Sequence, residues 1–101
     1  MSKMKLDGMT HCEKTVYLPI ENIELTYRMF PSCESGRTVY CLWIVLTERG
    51  EKEECFLWDV ATTFAMARRI WHLFTEELVT PIQAEDILEQ LLSDPAFLYA
   101  D

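Results

Sequence analysis

Two histidines, four cysteines and 17 carboxylates are the side chains in this 101-residue chain that could carry chemistry. His11 and Cys12 are adjacent, with Cys33 further along; the three could be read as a metal site or as a thiol with its base. Zinc sites show paired ligands at close spacing, and here the only close pair is adjacent. A catalytic thiol needs a nearby cation or helix N-terminus to lower its pKa. Cys12 and Cys33 instead sit in an acidic chain, which raises a thiol pKa. Cys41 and Cys55 fall in the middle of strand patterns, where cysteine usually serves as a small buried hydrophobe. His72 shares a helix face with Arg68, Arg69 and Glu76. Arg68 and Glu76 are each four residues from it, the spacing of ordinary surface pairs. Asp59 precedes a helical pattern and could be a general base, but a carboxylate there better complements the helix dipole and caps the helix. Glu85, Asp86 and Glu89 make an acidic helix surface, solvated by default and suited to basic partners. No Gly-rich phosphate loop, G-x-S-x-G or H-E-x-x-H occurs. No catalytic, cofactor-binding or metal residue is therefore assigned, no cofactor is expected, and the chain reads as a non-enzyme. The sequence names no activity.

Composition narrows the partners. The net charge is −8, from 17 acids and 9 bases. That balance favours solubility and repels nucleic-acid phosphates and anionic membranes. The bases are scattered, with Arg68-Arg69 the one doublet, so no basic stripe exists for nucleic acid. No apolar run approaches the ~18 residues of a membrane span. The leader carries Lys3 and Lys5 without an apolar signal core. These features point to a cytoplasmic protein, where thiols stay reduced. Register also argues against a Cys41–Cys55 bridge. A two-residue turn at Arg49-Gly50 sets Ile44 opposite Cys55 and Cys41 opposite Trp58.

The elements that must position these groups follow from one change of hydrophobic period, near Asp59. A chain of this length fits one domain, residues 1–101, with 1–12 a loose leader and 95–101 a tail. Thr15–Leu18 reads as a short strand ended by Pro19. From Ile23, residues Ile23, Leu25, Tyr27 and Met29 alternate with Glu24, Thr26 and Arg28. Pro31 to Gly36 carries turn residues. Thr38–Thr47 is apolar on both faces, as in a central, covered strand. Glu48–Lys52 turns, and Glu53–Trp58 returns. Beyond the switch, Phe64, Ala67, Ile70, Trp71, Phe74 and Leu78 form one helical stripe, with Arg68, Arg69, His72, Thr75 and Glu76 opposite. Thr80, Pro81 and Gln83 spell a capping box with proline in the first helical position. That second helix runs to about Ser93, burying Ala84, Ile87, Leu88, Leu91 and Leu92, and Pro95 stops it. The spacing predicts an α+β fold: a three- to four-stranded antiparallel β-meander followed by two C-terminal α-helices packed on one face.

Pairing Leu25 with Leu42, and Leu42 with Leu57, sorts the sheet into two faces. Val16, Leu18, Ile23, Leu25, Tyr27, Met29, Tyr40, Leu42, Ile44, Leu46, Cys55 and Leu57 form the floor for the helices. The other face holds Tyr17, Cys41, Trp43, Val45, Phe56 and Trp58 among charged and polar residues. An aromatic patch with a polar rim marks an interaction surface. Tyr17, Cys41, Trp43, Phe56 and Trp58 are thus the candidate partner surface, for a protein partner or for self-association as a homodimer. The tail could instead fold over this face, or a one-residue slip could exchange the faces.

Phe56-Leu57-Trp58-Asp59-Val60-Ala61, a helix, Leu78-Val79-Thr80-Pro81 and then Glu85 to Leu92 resemble a family of short Firmicutes proteins filed as a domain of unknown function. The resemblance covers roughly residues 13–94. It implies a strand meander with two helices and a bacterial cytoplasmic origin, and it transfers no site residue. The leading expectation is a small cytoplasmic interaction or regulatory protein that uses the aromatic sheet face. The alternative is a module that binds a small apolar ligand between helices and sheet.

Overall fold

The structure, a computed structural model, describes residues 12–99. Four strands come first: β1 (Cys12–Leu18), β2 (Ile23–Glu34), β3 (Arg37–Glu48) and β4 (Glu51–Ala61). They pair antiparallel in the order β1-β2-β3-β4, each beside its neighbour in sequence. Helices α1 (Phe64–Glu76), α2 (Pro81–Leu92) and the one-turn α3 (Pro95–Leu98) follow. The α+β meander with helices on one face is the fold that the change of period predicts.

Two tight turns set the ladder. Ser35 and Gly36 have φ of 52° and 81°, and Arg49 and Gly50 have 53° and 82°. Positive φ at both central residues marks the two-residue turns that match strand twist. Consequently β2 runs on through the Pro31–Cys33 segment expected to turn, ending at the Glu34↔Arg37 pair. Counting from that closing pair, Pro31 falls at a position whose amide points away from β3, so its missing N–H costs no bond in that ladder. Leu25 pairs with Leu46 and Met29 with Leu42. The expected Leu25–Leu42 pairing is therefore displaced by four residues. An even displacement leaves every side chain on its assigned face. Leu42↔Leu57 and Ile44↔Cys55 pair as expected.

The leader also needs correction at its end: Cys12 is the first residue of β1, paired with Met29. Residues 1–11 lie outside the described residues, as do Ala100 and Asp101 of the tail.

The floor is buried at its centre, while Val16, Leu18, Ile23, Leu46 and Cys55 at its margins are half-buried. Leu25, Tyr27, Met29, Tyr40, Leu42, Ile44 and Leu57 join Ala67, Ile70, Trp71 and Phe74 of α1 and Ala84 of α2 in one core. At the first helix Thr63, rather than Asp59, is the cap: its side chain accepts from the Met66 amide at 3.2 Å. The helix stops at Glu77, with Leu78 at a φ of 54° and the Val79 amide donating back to the Phe74 carbonyl at 3.0 Å. That is a Schellman ending with leucine in the place glycine usually takes. Thr75, expected on the solvent side, is buried; its hydroxyl donates to the Trp71 carbonyl at 2.9 Å. A hydroxyl satisfied one turn back can lie against apolar neighbours.

The capping pair opens α2. The Thr80 amide and hydroxyl both donate to Gln83 Oε1, each at 3.1 Å. Ala84 is fully buried, and Ile87, Leu88 and Leu91 are half-buried, whereas Leu92 is 40% exposed. Proline at 95 does more than stop the chain. Asp94 accepts from the Ala96 amide at 3.0 Å and starts α3. Phe97 then packs against the core, with the Arg69 guanidinium 4.3 Å from its ring centroid and donating to its carbonyl. The tail thus docks on the helical side through Phe97, with Tyr99 exposed, and among the described residues the other sheet face is left open.

Candidate functional site

The strand register lays the uncovered face out in rows. One row is Glu13–Arg28–Trp43–Phe56, crossing all four strands. Polar contacts run along it from Glu13 to Trp43 and on to Glu54. Arg28 pairs with Glu13 at 3.3 Å and lies 5.2 Å from the Trp43 ring centroid. Trp43 donates from Nε1 to Glu54 at 3.0 Å. These are exposed contacts, each contributing about 0–1 kcal/mol, so they orient the rings more than they stabilise the fold.

Next to this row the ladder breaks. Tyr40 pairs with Ala61 and Leu42 with Leu57, so Cys41 faces three residues, Trp58, Asp59 and Val60. The extra residues form a β-bulge, with Asp59 at a φ of 58°. Asp59 is the strained residue of this turn of chain, and Arg37 holds its carboxylate at 3.3 Å. The position expected to cap a helix therefore shapes a strand. The bulge turns Val60 into the core beside Ala61 and keeps Trp58 on the open face, where its Nε1 donates to Glu34 at 3.0 Å.

The rings form one patch. Phe30 and Phe56 have centroids 5.9 Å apart, and Phe56 and Trp58 6.1 Å. Phe30 stands on β2 and Phe56 on β4, so the two lean together over β3 and the small Cys41 side chain between them. Phe56 is 50% exposed and Trp58 46%, while Trp43 is half-buried by Arg28.

Of the five residues expected to make the surface, Trp43, Phe56 and Trp58 belong to this patch. Cys41 does not: it is fully buried, closed over by the larger side chains around it. Burial pushes its thiol pKa up, and the Asp59 and Glu34 carboxylates push in the same direction against a hydrogen bond from the Asp59 backbone. Tyr17 is exposed but stands apart, in the row Tyr17–Glu24–Thr47–Lys52, with its hydroxyl donating to Asn22 at 3.0 Å. Phe30 is the member that sequence reading missed. Its place after Arg28 in the alternation assigns it to this face.

The other candidates stay apart. All four cysteines are free. Cys55 lies on the core face, where burial and then the Glu85 carboxylate raise its pKa. Among the described residues no cluster of three or more His, Cys, Asp or Glu side chains could hold a metal ion; His11 lies outside them. No described helix is long and apolar enough to cross a membrane. Tyr27, Phe74, Leu42, Ile44 and Ile70 fill the space between helices and sheet with fully buried side chains. Comparison with protein-family models, with curated proteins and with solved structures finds no match.

Proposed function

We propose that the protein is a small cytoplasmic, bacterial, non-enzymatic interaction or regulatory protein whose working surface is the open sheet face. The observation that carries this reading is the aromatic patch of Phe30, Phe56 and Trp58, with Trp43 opposite Phe56 in the strand register. Two of its rings are about half exposed, and Arg28, Arg37, Glu13, Glu34 and Glu54 rim it with both signs of charge. Large amphipathic rings gain most from desolvation at the centre of an interface, with polar groups at its edge. The two signs on the rim suit a second copy of the chain, since a two-fold axis can set arginines against glutamates. The solution mass of the wild-type chain is expected to rise with concentration. Trp43→Glu is expected to keep its circular dichroism and remain a single chain. Equal masses for two equally folded proteins would overturn the reading.

A further inference from the structure

The outer edge of β4 has no partner strand among the described residues. Counting from the Glu48↔Glu51 pair that closes the two-residue turn, Lys52, Glu54 and Phe56 direct their amides and carbonyls outward. Charge guards the first half of this edge, with Glu51, Lys52, Glu53 and Glu54 in succession. The second half, Cys55 to Trp58, has no such guard, and natural sheets rarely leave an edge that way. There a groove of about 440 Å³ runs between Phe56 and Trp58 on the strand and Leu88 and Leu92 on α2, with Glu85 and Glu89 on its wall. Glu85 is near enough to the strand to raise the pKa of Cys55.

We propose that this edge accepts an extended cationic segment of another protein, which adds to β4 as a fifth strand. The free backbone groups specify an extended occupant rather than a helix. In an added strand, alternate side chains point to opposite faces. Those on the α2 side meet Glu85 and Glu89, with Leu88 and Leu92 beside them. Lysine or arginine fits that wall, because its stem covers apolar surface while its head reaches a carboxylate. Apolar residues between them extend the Phe56–Trp58 surface. A second copy is the poorer occupant. Two β4 edges meeting about a two-fold would crowd Glu53, Glu54, Glu85 and Glu89 of both chains into one seam. The inference rests on the reading above in that Phe56 and Trp58 belong to both surfaces.

The test uses the full chain and an acetylated Lys-Val-Lys-Val-Lys-Val-Lys amide as probe. Binding is expected to shift the amide resonances of Lys52, Glu54 and Phe56 and to weaken with salt. The Glu-Val analogue is expected not to bind. Two further peptides, N-methylated on every lysine or on every valine, leave the protein untouched. One blocks the amides that face β4 and should fail, while the other should bind. Glu85→Lys with Glu89→Lys should weaken the lysine peptide about tenfold, since these charges stand on an exposed helix surface. Absence of binding, equal behaviour of the two methylated peptides, or shifts confined to other strands would overturn the proposal. Should the peptide fail while Trp43→Glu still lowers the solution mass, the edge inference falls and the reading of the face stands. Should the peptide bind while Trp43→Glu leaves the mass unchanged, the converse holds.

Discussion

Tyr27 ties the sheet to the helices through one atom. It is fully buried, and its hydroxyl donates to the Val79 carbonyl at 2.8 Å, across 52 residues of chain. Burial pushes its phenol pKa from 10.0 up to about 12. The neutral form is the one the fold holds, so the contribution of Tyr27 to stability is constant below pH 10. Between pH 10 and about 12 the unfolded chain ionises first, and stability falls with pH. Tyr27→Phe is expected to cost about 1–2 kcal/mol at neutral pH, because the Val79 carbonyl loses its donor. The variant should also show a shallower fall in stability across that window, keeping only the part due to the buried Cys41 and Cys55 thiols. Denaturant melts at pH 7 and at pH 11 check both points; an unchanged alkaline slope in the variant would count against the assignment. In the sequence Tyr27 reads as one more inward residue of an alternating strand. Its hydroxyl's partner lies beyond any local pattern, and so does the fate of Cys41, whose strand position allowed exposure until rings from two other strands closed over it.

At the scale of elements, turn chemistry sets the register, and two consequences can be measured. Arg49 occupies a left-handed conformation, φ 53°, that asparagine adopts more readily. Arg49→Asn is expected to stabilise by up to about 1 kcal/mol. Thr63→Ala removes the side-chain acceptor at the start of α1 and should cost about 1 kcal/mol. Shifts of the thermal midpoint in opposite directions test the pair. The alternation of Ile23 to Met29, the two-sided apolar run of β3 and the Thr80–Gln83 capping signal were all legible, because each is a local periodicity or a local hydrogen bond. The four-residue displacement between β2 and β3 was not, since an even shift leaves the pattern of faces unchanged. Nor was the bulge at Asp59, which carries no glycine to announce it.

For the whole molecule, burial divides the aromatic residues into two kinds. Phe74 is fully buried between α1 and the sheet, whereas Trp58 is half exposed on the opposite side. Phe74→Ala is expected to cost about 3–5 kcal/mol, a large share of the roughly 5–15 kcal/mol that holds such a domain together. Trp58→Ser should cost about 1–2 kcal/mol, and on the proposed reading it should also weaken association. Equal destabilisation by the two would mean that the open face is part of the core. Residue order alone determined the change from pleated to coiled backbone, the apolar floor and the aromatic side it leaves over, since period and polarity are properties of neighbouring residues. Tertiary structure alone decided which rings touch, that Cys41 is closed off, that the tail docks beside Arg69, and that α2 leaves an acidic groove along β4. Each of these depends on the separation of atoms far apart in the chain, which only the packed arrangement of strands and helices sets.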